Sequence, residues 1–305
     1  MSAHTLKQSG FTLVELVVVI IITGILSTFL VQFILLPVES YSKVAKRARM
    51  VDIANTVLQK ITMDVRQALP NSVRVGDCNG GTANCIEFLR APIGGRYRDY
   101  TDSGDALGPG ADDHVDMLVP FSATESNEII RDTDKSAACS NDLPVLMAIN
   151  NTGNAGEDAW QMDNVAWVTS LDVGSGAPDD ATESLRPAIN FENPSNPGHK
   201  YVFQTGSSYQ RFYLVDTPVK YIWDSSNNLV NRYRCYALDT SSTQDTIPTV
   251  TPDKLATQIS NVTFSYQQGT VELPIGLLTI SITVSEAGSP EKITLLQQIQ
   301  IINMS

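Results

Sequence analysis

The chain has 305 residues, 42% hydrophobic and 18% charged, with 33 acidic against 21 basic side chains and a formal net charge of −12. That balance excludes a nucleic-acid surface, which needs clustered lysine and arginine. Three histidines and four cysteines leave little for metal chemistry, and no HExxH, P-loop, nucleophile elbow or dinucleotide fingerprint occurs, so the sequence points away from an enzyme.

Residues 1–10 are short and polar, carry Lys7, and end on Gly10. They are too polar for a secretory apolar region. The stretch Gly10-Phe11-Thr12-Leu13-Val14-Glu15-Leu16 then opens an apolar run to residue 36. Its 26 residues make about 39 Å of helix at ~1.5 Å per residue, more than the ~20 residues a bilayer requires. Only Glu15 and Gln32 are strongly polar within it. A carboxylate at membrane depth is costly and marks function by default. Gly24 weakens this helix slightly, and Pro37 removes a backbone donor where the run ends, a place for a bend.

Lys43, Lys46, Arg47 and Arg49 follow the span. The positive-inside rule alone would put them in the cytoplasm. Four cysteines beyond the span argue for an oxidising compartment instead. The basic cluster then faces anionic headgroups, an acidic neighbour or solvent.

From 42 to 69 apolar residues recur at helical spacing, through Ile53, Ala54, Val57, Leu58, Ile61, Val65, Ala68 and Leu69, with Asp52, Asn55, Gln59, Lys60 and Arg66 opposite. Pro70 and Asn71 stop the pattern. The spacing predicts one long helix over 11–69: apolar all round over 11–36, amphipathic over 37–69. The second part packs on a globular domain or, less naturally for so short a stripe, on a coiled-coil partner.

Residues 70–305 form a β-rich region. The short glycine-bearing loop between Cys78 and Cys85 predicts one disulfide and leaves Cys139 and Cys235 for a second, although four cysteines permit three pairings. A zinc site is the alternative, without CxxC spacing or a nearby histidine to support it. Strands are predicted at 86–90, 115–120, 143–149, 165–171, 200–204, 210–215, 219–223 and 229–238. The turn-rich Asp224-Ser225-Ser226-Asn227-Asn228 makes the last two a hairpin. Residues 262–266 alternate, and 277–285 and 292–302 flank a Gly-Pro-containing turn as a hairpin with one buried face. Residues 99–116 and 150–197 read as long loops decorating the sheet. The whole is α+β: a long N-terminal helix, half membrane and half amphipathic, packed on antiparallel sheet with loop insertions.

Two surfaces are candidates for binding. Asp99, Asp102, Asp105, Asp112, Asp113 and Asp116 offer oxygens for Ca²⁺, but without EF-hand spacing a solvated acidic loop explains them better. Aromatic residues from Trp160 to Tyr236 suggest a sugar-stacking surface, or simply a core.

The order of basic leader, glycine, aromatic, acid and apolar helix resembles the class III signal of type IV pilins and type II secretion pseudopilins. The resemblance implies a type IV pilin-like fold and cleavage after Gly10 by a prepilin peptidase, with N-methylation of the new first residue, Phe11. It implies that Glu15 pairs with the terminal amine of a neighbouring subunit during assembly. Expected partners are a major pilin, other minor pilins and an inner-membrane assembly platform. The expected location is the inner membrane, single-pass with a periplasmic C-terminal region, and then a filament at the cell surface. Some pseudopilins use calcium; no other cofactor is implied. The large region after residue 69 suits a minor pilin. The segment 66–75 is similar to its counterpart in minor pilins of the mannose-sensitive haemagglutinin (MSHA) group, within the W-type minor pilins and J-type pseudopilins.

Overall fold

The structure, a computed structural model, describes residues 10–78, 84–98, 112–121, 145–172, 187–238, 240, 243–270, 273–286, 288 and 290–303, without the side chains at 31, 32 and 34–37. The chain divides into two compact units, Met1–Val51 and Asp52–Ser305. One helix, α1 (Leu13–Val65), runs without interruption through residue 37 and across the division.

In the first unit the helix buries nothing over Leu13–Leu30, a stretch long and apolar enough to cross a membrane. Its hydroxyls are satisfied inside the helix. Thr23 donates to the Val19 carbonyl, Ser27 to Thr23 and Thr28 to Ile25, each at 2.7 Å. Such back-bonding removes the cost of carrying free hydroxyls into lipid.

In the second unit the helical stripe is the buried face. Ala54, Val57, Ile61 and Val65 are fully buried while Asp52, Asn55 and Gln59 are exposed. The helix tightens at its end, where the Gln67 and Ala68 amides bond to the carbonyls three residues back. Pro70 then has no amide to donate, and Asn71 turns the chain with φ 59°. Past the helix the chain docks on a strand edge, with Leu69 donating to Leu89 at 2.8 Å and Ala91 to Gln67 at 2.7 Å.

Three antiparallel sheets follow. The first has the order β1 (Arg74–Gly76), β2 (Cys85–Arg90), β9 (Thr217–Asp224), β10 (Leu229–Tyr233), β11 (Asp253–Thr257). The second is β3 (Ile93–Arg96), β8 (Arg211–Val215), β5 (Leu146–Ile149), β6 (Val165–Asp172), β7 (Ala188–Glu192), β4 (His114–Asp116). The third is β12 (Ile259–Gln267), β13 (Ile275–Ser285), β14 (Lys292–Ile302). The chain crosses between the first two sheets twice, from β2 to β3 and from β8 to β9. An Arg90–Asp216 ion pair of 2.7 Å joins the two crossings. Leu69, Leu89, Leu146, Trp160, Val165 and Val215 fill one core there, and a second core around Met147, Ile149, Phe191 and Phe212 lies within the six-stranded sheet.

Several strands differ from the sequence reading. Residues 150–197 are not only loop: β7 lies inside them, with Ile189 and Phe191 buried on alternate positions. Residues 200–204 make no strand, only an isolated bridge from Tyr201 to Asp112. Both neighbours of β7 are already β6 and β4. Tyr201 and Phe203 instead stack edge-to-face at 4.8 Å, and Phe203 meets Phe191 the same way at 5.5 Å, so ring packing outweighs strand propensity. The strand from 229 ends at Tyr233 because Cys235 sits at φ 61°, with its amide on the Thr217 hydroxyl at 2.9 Å. The strand near 115 covers only His114–Asp116, and residues 143 and 144 lie outside the described set. β1, β3 and β11 were not expected. In β3 a glycine pair conceals a strand: a Cβ at Gly94 would lie 2.8 Å from the Phe212 carbonyl, and one at Gly95 2.7 Å from the Phe212 ring.

Candidate functional site

The head of α1 is built by two side chains. Thr12 caps the helix. The Glu15 amide bonds to the Thr12 hydroxyl at 3.3 Å and the Thr12 amide to the Glu15 carboxylate at 3.5 Å. This is a reciprocal capping box, which satisfies two of the amides that every helix start leaves free and places an acid at the positive end of the helix dipole. The motif is S/T-x-x-E, legible in the sequence but not singled out there.

Among the described residues nothing else engages this end. Phe11 is 81% exposed, Leu13 79% and Val14 69%. Among the described residues no cation pairs with Glu15, which lies on a helix otherwise apolar on all sides. The Gly10–Phe11 peptide precedes the helix and is exposed. A Cβ added at Gly10 would meet nothing within 4 Å, and its backbone is not in the left-handed region. The fold therefore places no demand for glycine at position 10.

A second carboxylate on the same helix is treated oppositely. Asp64 is buried and forms an ion pair of 2.7 Å with the buried Arg232 on β10. Tyr221 on β9 donates its hydroxyl to the same carboxylate, and Lys60, one turn back, stands 3.4 Å away. Burial and the neighbouring Asp64 charge hold the Tyr221 phenol well above its usual range. A second buried network lies between β1, β2 and β9. Arg74 bonds to Glu87 at 2.7 Å through Nε, Tyr236 donates to Glu87 at 2.6 Å, and the fully buried Lys220 donates to the Gln244 and Thr246 carbonyls at 2.7 and 2.6 Å. Burial lowers the Lys220 pKa and raises that of Tyr236. The polar atoms of these groups bond to one another or to backbone carbonyls and so serve packing, although Tyr236 also lines a cavity with Leu89, Trp167 and Val215.

The remaining predicted sites scatter. Cys78 and Cys85 are joined in a disulfide across seven residues. Cys235 is disulfide-bonded; Cys139 lies outside the described residues. So do Asp99, Asp102 and Asp105. Asp112 bridges to Tyr201 through its backbone. The Asp113 carboxylate takes His114 at 3.0 Å and Lys200 at 3.2 Å, and the His114 hydrogen bond, with help from Lys200, holds its pKa down. Asp116 is buried on β4. Among the described residues no three His, Cys, Asp or Glu side chains converge as cation ligands. The sugar-stacking reading fails at Trp160, which is 6% exposed. Its indole donates to the Ser72 carbonyl at 2.8 Å and its ring lies 3.6 Å under the Arg74 guanidinium.

Residues 5–31 match the family described as the prokaryotic N-terminal methylation motif. No curated protein and no solved structure matches the chain. The motif is a type IV prepilin-like signal, and with the apolar helix that carries it supports a membrane-anchored, type IV pilin-like protein, processed by a prepilin peptidase and structural in role.

Proposed function

We propose that this chain is a minor pilin that initiates, primes or caps an MSHA-type type IV pilus and so contributes to surface attachment. Its segment 66–75 resembles the corresponding segment of the minor pilin MshO. The domain plan is a leader over 1–10, a membrane and filament-core helix over 11–36, an amphipathic helical part over 37–69 and the β-rich region over 70–305.

One observation carries the reading. Glu15 is an exposed acid on an apolar helix, close behind an exposed Gly10–Phe11 bond, and among the described residues no cation pairs with it. A carboxylate in an apolar medium needs a positive partner. Cleavage after Gly10 would create such a partner, the Phe11 amine, on every copy of the chain. Glycine at position 10 answers no need of the fold, which fits a residue selected by a peptidase.

Deleting the gene and counting surface pili by electron microscopy, with secreted enzyme activity measured alongside, tests the reading. Loss of pili with normal secretion is the expected result. Normal pili with failed secretion would move the protein to the J-type pseudopilins, which share the motif. Normal pili and normal secretion would leave a tip adhesin role, read out as lost attachment.

A further inference from the structure

The third sheet ends on a strand without the defences that the other edges carry. An open strand edge is a template for pairing, and proteins that must stay unpaired blunt it with short length, charge, bulges or proline. Elsewhere this chain does so. β1 and β4 have three residues each, and β3 holds the glycine pair. β11 carries Asp253 and Lys254 and pairs through a bulge. β12, the opposite edge of the third sheet, is also bulged; its first amide is taken by Asn228 and its first carbonyl by the Trp223 indole. β14 differs on every count. It has 11 residues, pairs with β13 in unbroken register, contains no proline and no acid, and carries its single charge at Lys292, its first residue.

The register shows which groups are open. The Asn303 amide donates to the Pro274 carbonyl at 2.8 Å, on the same register as the β13–β14 ladder. In an antiparallel pair inward and outward backbone groups alternate. The odd-numbered residues of β14 therefore bond to β13, and the amides and carbonyls of Thr294, Leu296, Gln298, Gln300 and Ile302 point off the edge. Among the described residues one side chain covers part of this row, the Gln297 amide on the Gln298 carbonyl at 3.3 Å. Leu296 and Ile302 stand 64% and 66% exposed beside the open groups. On the other face Ile293 and Leu295 are only half-buried, so the apolar row begun by β13 is not closed at this edge.

We infer that the outer edge of β14 accepts an added β-strand from a neighbouring subunit of the assembly, an inference that rests on the assembly role proposed above. The main chain supplies the bonding, as in other strand additions, and side-chain alternation supplies the selectivity. The incoming strand is uncharged along most of its length. It places apolar residues beside Ile293 and Leu295 and hydroxyl or amide residues beside Thr294, Gln298 and Gln300.

Gln298→Pro tests this in the full chain in its host. It removes one outward amide and sets a ring against the incoming strand while leaving every bond to β13 intact. The sheared filament fraction is assayed for the chain, with the melting temperature of the detergent-solubilised protein alongside. The expected result is a loss of about tenfold or more from the filament fraction at a near-unchanged melting temperature, with Gln298→Ala behaving as the unaltered chain. Should the proline lower the melting temperature, the pair Leu296→Lys and Gln300→Lys makes the same test with charge alone. Full incorporation of Gln298→Pro, or of the lysine pair in that case, overturns the inference while leaving the assembly role standing. Absence of the unaltered chain from the filament fraction overturns both.

Discussion

Two acids on one helix are handled in opposite ways. Asp64 is enclosed by Arg232, Tyr221 and Lys60, while Glu15 stands exposed and, among the described residues, bonds only to Thr12. A buried carboxylate whose partners lie in its own chain fixes packing. In the assembly role proposed above, the acid held on an apolar stretch without a cation among the described residues is kept for a partner that arrives later. The contrast separates the part of α1 that is buried in the fold from the part, Leu13–Leu30, that buries nothing in it.

The largest expected effect comes from removing the countercharge. Arg232→Met leaves Asp64 charged and buried, and will lower unfolding stability by about 3–5 kcal/mol in denaturant titrations. The double change Asp64→Leu with Arg232→Met will recover most of that loss, because it removes the charge as well as its partner. If the double variant is as unstable as the single one, Asp64 is not held by the pair. Next in size, Tyr221→Phe will cost about 1–3 kcal/mol, since it takes a hydrogen bond from a buried charge.

The same phenol makes a pH signature. Burial raises the pKa of Tyr221, Tyr236, Tyr201, Tyr233 and Tyr266 above the ordinary 10.0. Above pH 10.0 the unfolded chain releases these protons first, so the stability they contribute is complete below that pH and lost as pH rises beyond it. Lys220 works against the trend. Its pKa is lowered from 10.5 by burial, so its contribution rises with pH just below that value. Beyond 10.5 Lys220 adds no further change, so the melting temperature will fall there as the tyrosine contributions are lost, less steeply in Tyr221→Phe. A melting temperature that is flat there would break the assignment.

The smallest effect on folding belongs to Glu15. Glu15→Ala will change stability by no more than about 0.5 kcal/mol, the capping box being exposed. It will still be cleaved after Gly10, yet will be depleted from sheared filaments. Normal incorporation would erase the contrast between the two acids.

The sequence made some of this legible and concealed the rest for physical reasons. The amphipathic stripe and the 277–285 and 292–302 hairpin follow from period alone, whereas the processing motif is legible only through its resemblance to prepilin signals. Asp64 lies three residues beyond Ile61 on the buried face, a visible anomaly, but its partner Arg232 is supplied by a strand far along the chain. β7 is short and flanked by Pro187 and Pro194, so its two buried apolar residues were lost among polar neighbours. The strand-like 200–204 gives its aromatic rings to a core whose strand positions are taken. Trp160 looked like a surface aromatic because its loop is polar, whereas a 3-10 turn at Ala159–Gln161, capped by Asp158, points the indole inward.

In the proposed role the chain is read by a prepilin peptidase and rebuilt at Phe11 for assembly. Intact-mass measurement of the protein purified from its host membrane tests it most directly. The expected mass is that of a chain lacking residues 1–10 and carrying one methyl group on the Phe11 amine. A chain that keeps its leader, or is cut elsewhere, would contradict it.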